Sequence, residues 1–140
     1  MKRNRWQAAV LVMMIPLAMA CSRVEGAESS YDAPATLKEV KGTDLTQVTL
    51  TERAIERIGL TTEAVTAGPQ GLVIPYSAVI YSADGTTWVY RVVEGTTFVR
   101  TQVVVARIDG DRAFLASGPA AGTQLATVGA TELYGTENGL

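Results

Sequence analysis

Cys21 is the only thiol in the 140-residue chain, and it stands directly after Leu17-Ala18-Met19-Ala20. A single thiol has no intramolecular partner for a disulfide, so its own chemistry is nucleophilic attack or alkylation. The sequence contains no histidine, and its four methionines, Met1, Met13, Met14 and Met19, all precede Cys21. Beyond residue 21 there is no imidazole, thioether or thiol. This argues against histidine-based general base catalysis, Cys–His nucleophiles and soft-metal sites in the remainder. Serines and aspartates are present, but no lysine or histidine base accompanies a nucleophile motif, so no catalytic residue is assigned. Carboxylates alone could hold a hard cation, yet they are scattered. Asp109-Gly110-Asp111 is too short for a calcium loop and suits a turn. No metal and no cofactor are expected.

The residues before Cys21 explain what its thiol is for. Lys2, Arg3 and Arg5 form a basic start, and Ala8–Ala20 is an uncharged, almost wholly apolar run. That run is too short for a permanent membrane helix, and its flanks have secretory asymmetry. Leu17-Ala18-Met19-Ala20-Cys21 resembles a bacterial lipobox, which implies cleavage between Ala20 and Cys21 and a diacylglyceryl and palmitate-bearing Cys21. Residues 1–20 are thus expected to be a lipoprotein signal peptide, and several acyl chains give stable anchoring. The expected location is the cell envelope, lipid-anchored and facing the periplasm or the cell exterior. Losing the leader leaves nine of the 12 Lys and Arg against all 14 Asp and Glu, a net charge of −5. Such a body offers no electrostatic footprint for nucleic acid.

Residues 21–45 are rich in Ser, Glu, Ala, Gly, Thr and Lys without periodicity, and are expected to be a flexible tether. Gln47–Leu50 alternates like a strand. Thr51 then suits a helix N-cap, with Ala54, Ile55 and Ile58 on one face and a stop at Gly59. Thr61–Ala67 alternates and meets a turn at Gly68-Pro69-Gln70-Gly71. After it come apolar pieces 72–74 and 78–81, a turn at 82–85, and a strand over Thr87–Val93. A turn at Glu94-Gly95 leads into Phe98–Ala106. The Asp109–Asp111 turn, a strand over Arg112–Ser117 and a last strand over Gln124–Gly129 follow. This pattern predicts a mainly β fold, a small antiparallel β-roll or barrel with one short helix, over residues 46–137. Trp88, Tyr90 and Val92 share one face of their strand and Val89, Arg91 and Val93 the other. An aromatic–arginine face of this kind can be a ligand platform, but core packing is the reading adopted.

Val73-Ile74-Pro75, Ala78-Val79, Asp84-Gly85 and Trp88–Val92 follow one another in an order and spacing that resemble a known family. The pattern continues with Phe98-Val99-Arg100, Val103–Val105, Ser117–Gly122, Val128-Gly129-Ala130 and Leu133, and is preceded by Val48–Leu50 and Gly59–Val65. Together they resemble the membrane-proximal β domain of periplasmic adaptor subunits, the haemolysin-D-type membrane fusion proteins of tripartite efflux pumps. The resemblance spans about residues 46–135. It implies a lipid-anchored accessory or adaptor-like binding module of an envelope efflux transporter, with the membrane and a transporter permease or full-length adaptor as partners. Where full adaptors insert further domains, this chain has only Gly68–Gly71. Pro119 replaces the family's leucine, and the Met and His of its metal-binding members are missing. A structural envelope lipoprotein, or a ligand- or glycan-binding domain using Trp88 and Tyr90, are the alternatives.

Overall fold

The computed structural model describes residues 33–140, so the expectations for Ala20 and Cys21 lie outside the described residues. The strands are β1 (Ala35–Glu39), β2 (Thr46–Leu50), β3 (Thr61–Ala64), β4 (Thr66–Gly68), β5 (Gly71–Pro75), β6 (Ile80–Tyr81), β7 (Thr87–Glu94), β8 (Thr97–Asp109), β9 (Arg112–Ser117) and β10 (Gln124–Val128). Helix α1 covers Glu52–Ile58 and α2 covers Ala130–Asn138. The fold is mainly β, a nearly closed, barrel-like antiparallel sheet with two short helices.

The ring runs β3-β10-β7-β8-β9-β5-β4. It returns to its start because β3 and β4 are one chain interrupted only by Val65. The Val65 amide donates to the Thr123 carbonyl at 2.8 Å, and its carbonyl accepts from the Gly122 amide at 2.8 Å. Strand β8, 13 residues long, serves both halves of the ring. Thr97–Val103 pairs with β7, while Val104–Asp109 pairs with β9 on the opposite edge. Two register shifts near Val104–Arg107 are bulges that bend the strand between these duties.

Strand alternation sorts the apolar residues into two cores. Val89, Val103, Leu125, Ile74, Ala113, Leu115 and Val65 come from every part of the ring and fill its interior. Their chain neighbours face the other way. Tyr90, Ile80 and Ala126 join Val48, Leu50, Phe98, Ala130 and Leu133 beneath α1, α2 and β2. Both faces of β7 are therefore covered, and Trp88 and Val92 pack with Tyr90 as partly buried members of the second core.

Most local expectations hold. Thr51 caps α1, its Oγ1 accepting from the Ala54 amide at 3.2 Å, and Gly59 closes the helix in the left-handed region at φ 63°. Two assignments need correction. Residues 35–39, placed in the tether, form β1, which pairs with β2 in the register Ala35↔Leu50 to Glu39↔Thr46. The strand is almost wholly exposed, so its sequence carries no buried stripe, and pairing rather than apolar patterning holds it. The second is the number of helices. Helix α2 starts behind Gly129 without a side-chain cap and contains Gly135, so its sequence lacks the usual start signal. Burial of Ala130 and Leu133 in the second core overrides that weak propensity.

Candidate functional site

Two places combine chemistry with position. The first joins α2 to the outer face of β7 and β8. Cross-strand neighbours Tyr90 and Arg100 bring a phenol and a guanidinium together. Glu137, in the last turn of α2, reaches both. The Tyr90 hydroxyl donates to Glu137 Oε2, and Arg100 Nε lies 3.1 Å from Oε1. The Arg100 N–H is angled off that line, so this is a charge pair rather than a hydrogen bond. The Arg100 guanidinium also stacks over the Trp88 ring, 4.8 Å from its centroid. Trp88 Nε1 donates to Thr86 Oγ1 at 2.8 Å, and Thr86 Oγ1 donates to Asp84 Oδ1 at 2.6 Å. A polar ladder thus runs from the β6–β7 turn to the C-terminal helix.

Its electrostatics fit a latch. Burial, and then the bond to Glu137, push the Tyr90 phenol far above its usual range, so it stays neutral and donating. Hydrogen bonds from Thr86, the hydroxyl first and then the amide, hold the exposed Asp84 carboxyl below its ordinary value. Every polar atom of Glu137 near the barrel already has a partner, and the ladder has no nucleophile beside a base. It positions α2. The aromatic face expected on β7 is therefore a packed one, as adopted from sequence. Its cation is Arg100 rather than Arg91, whose Nε instead donates to Thr101 Oγ1 at 3.1 Å. Neither Arg100 nor Glu137 was singled out in this role from the sequence. The one available signal was the i, i+4 spacing of Leu133 and Glu137, which puts a carboxylate beside a core leucine.

The second place is an unfilled strand position. Strand β7 begins at Thr87, opposite Val103, because the Ser82–Thr86 turn folds the preceding chain back as β6. Beyond Val103, β8 therefore has β9 on one edge and, among the described residues, no strand on the other. An open concavity of about 520 Å³ lies there. Seven consecutive residues, Gln102–Ile108, line it together with Tyr81 and Gly85–Thr87. Both strand parities are represented, so one wall is the edge of β8 rather than one of its faces. Exposed apolar groups border it: Val104, Ile108 and Tyr81 are 50%, 45% and 52% exposed. The neighbouring Tyr76 hydroxyl raises the Tyr81 phenol above its usual value. Arg107 is held by Gln70 Oε1 at 2.7 Å, by Asp109 Oδ2 at 3.3 Å and by the Phe114 ring at 3.5 Å.

Among the described residues no three His, Cys, Asp or Glu converge as a metal ion would require. The Asp109–Asp111 segment is a turn, as expected, with Gly110 at φ 59° and Asp109 paired with Arg112 across it. No described helix is long and apolar enough to cross a membrane. Compared with known proteins, the chain matches no family model, no curated protein and no solved structure.

Proposed function

We propose that this chain is a lipid-anchored, adaptor-like binding module of an envelope efflux transporter, without catalytic activity of its own. The observation that supports it is the pairing across the Pro69-Gln70 turn. The segment before the turn supplies β2, β3 and β4, and these pair with β8, β10 and β5 from the segment after it. Full adaptors are built this way: the two ends of a long chain form one β domain, and the other domains depart between them. Here Gly68 and Gly71 pair directly and the exposed Pro69 and Gln70 close the gap. The resemblance of residues 46–135 to the membrane-proximal domain and the lipobox-like Leu17–Cys21 complete the reading. The polar ladder fixes the fold and needs no substrate.

The test is membrane fractionation followed by cross-linking in the cell that makes the protein. The wild-type chain should pellet with membranes and cross-link to a polytopic permease or a full-length adaptor. Cys21→Ser should move it to the soluble envelope fraction and abolish that cross-link. A Cys21→Ser chain that pellets with unchanged mobility removes the anchor, and a wild-type chain cross-linking only to non-transport proteins removes the transporter.

A further inference from the structure

We propose that Asn138-Gly139, at the end of α2, is a deamidation site guarded by the docking of that helix, and that its conversion loosens the helix. The inference is independent of the transporter reading, since it needs only the fold.

Asn138 is the one asparagine among the described residues, it is exposed, and a glycine follows it. In the reaction the Gly139 amide nitrogen loses its proton and attacks Asn138 Cγ. An N–Cγ bond forms, the Cγ–Nδ2 bond breaks, and ammonia leaves behind a cyclic succinimide. Water then opens either carbonyl of that ring, giving aspartate or, with an extra methylene in the main chain, isoaspartate. Neither oxidant nor enzyme is required. A glycine nitrogen is the least hindered nucleophile, because no Cβ screens it and its backbone bends freely. Nothing lies within 4 Å of where a Gly139 Cβ would stand, so the surroundings leave room for the ring.

The docked helix withholds the reaction at both reacting groups. The Gly139 amide donates to the Gly135 carbonyl in the helix C-cap, so its proton is held. Asn138 Nδ2 donates to the Tyr134 carbonyl at 2.8 Å, which turns the side-chain amide back along the helix and away from Gly139. Ring closure needs Asn138 to leave helical geometry, so only an opened last turn reacts. The latch sets how often it opens. Helix α2 has no N-cap side chain, contains Gly135 and buries only Ala130 and Leu133. Near its end Glu137 fastens it to Tyr90 and Arg100. A segment with so few buried anchors opens locally, below the free energy of global unfolding.

The product acts back on the latch. A new carboxylate beside Glu137 stands at the negative end of a helix whose last turn has no basic residue, so it disfavours the helical state. Isoaspartate also displaces the Gly139 amide from Gly135. Both products favour the undocked helix, and the departure of ammonia makes the step one-way.

The experiment incubates the full chain in mildly alkaline buffer beside the acetylated peptide Tyr-Gly-Thr-Glu-Asn-Gly-Leu, the sequence of residues 134–140 without a barrel to dock on. Peptide mapping by mass spectrometry follows the exchange of NH2 for OH at Asn138, and chromatography separates aspartate from isoaspartate. Isomerisation at Asp84 or Asp109 leaves the mass unchanged. The chain should deamidate at Asn138 about tenfold or more slowly than the peptide, because the rate follows the open population. Arg100→Met leaves residues 134–140 intact and should bring the chain to within about threefold of the peptide's rate. Tyr90→Phe, the milder change, should move it the same way. Amide exchange at Leu133 should be faster in the deamidated chain than in its parent, with exchange at Val89 unchanged in the same sample. A chain that never deamidates at Asn138 while the peptide does overturns the site. A rate equal to the peptide's overturns the guard, and a rate indifferent to both variants overturns its control by the latch. Unchanged exchange at Leu133 after deamidation overturns the loosening.

Discussion

Removing the Glu137 carboxylate should be among the costliest single changes available outside the barrel interior. Its side chain is 4% exposed and that of Arg100 is 20% exposed, so Glu137→Ala strands a largely buried guanidinium and deprives the Tyr90 hydroxyl of its acceptor. Breaking one partner of a buried pair costs about 3–5 kcal/mol. Arg100 keeps a fifth of its surface in water and its stack on Trp88, so about 3 kcal/mol is expected. The carboxylate also stands at the negative end of α2, where no basic residue of the helix offsets it. Its place there depends on Arg100. The double variant Glu137→Leu, Arg100→Met exchanges the pair for apolar volume and should recover the part due to the stranded guanidinium, leaving about 1–2 kcal/mol for the Tyr90 hydroxyl that still lacks an acceptor. Urea unfolding followed by circular dichroism reads these differences from the midpoint at constant slope. A Glu137→Ala cost below about 1 kcal/mol, or a double variant as unstable as the sum of its singles, would refute the latch.

Tyr90 should make the fold sensitive to alkali. Its folded pKa is raised, so its contribution is complete below the unfolded phenol value near 10 and declines as pH rises above it. Tyr90→Phe should flatten the loss of melting temperature between pH 9 and pH 11, roughly the window around that value. At the acid end, Asp84 has a lowered pKa, so its support of the β6–β7 turn should fade as pH falls below about 4, and Asp84→Asn should remove that part of the acid profile. In the ring interior, Val89 is fully buried, and Val89→Ala should cost about 2 kcal/mol by thermal unfolding. An unchanged melting temperature would place β7 outside the packed sheet. Inserting a flexible linker of about ten residues after Pro69 should cost no more than about 1–2 kcal/mol, because closure entropy grows logarithmically. A chain that fails to fold would show the turn to be structurally required.

The parts of the fold that were legible from sequence are those in which local chemistry and burial agree. Thr51 and Gly59 bracket α1 because cap and stop residues satisfy backbone groups within the segment itself. The turns at Pro69-Gln70, Ser82–Gly85 and Asp109–Asp111 declare themselves through glycine, proline and aspartate for the same local reason. Strand β1 and helix α2 were not legible for different reasons: β1 pairs with the adjacent β2 but is almost wholly exposed and carries no apolar stripe, and α2 is held by Leu133 in a core supplied by segments distant in sequence. The same holds for the two candidate places. The Glu137–Arg100 pair joins residues 37 positions apart, and the open edge of β8 is defined by where β7 stops, which no periodicity within β8 reveals.

The strand order also sets a timetable for folding. Thr49 meets Thr97 across β2 and β8, 48 positions away, and Thr61 meets Thr127 across β3 and β10, 66 positions away. Hairpins such as β1–β2 and β4–β5 can form early, but β2 cannot join β8, nor β3 join β10, until much or nearly all of the chain is present. Such distant pairing is slow, since the loop must close before any contact rewards it. In a chain emerging amino-terminus first, the ring stays open until its final strand, β10, arrives to complete the circuit through Val65. The segment from Gln124 onward thus closes the fold rather than hanging from it as an appendage.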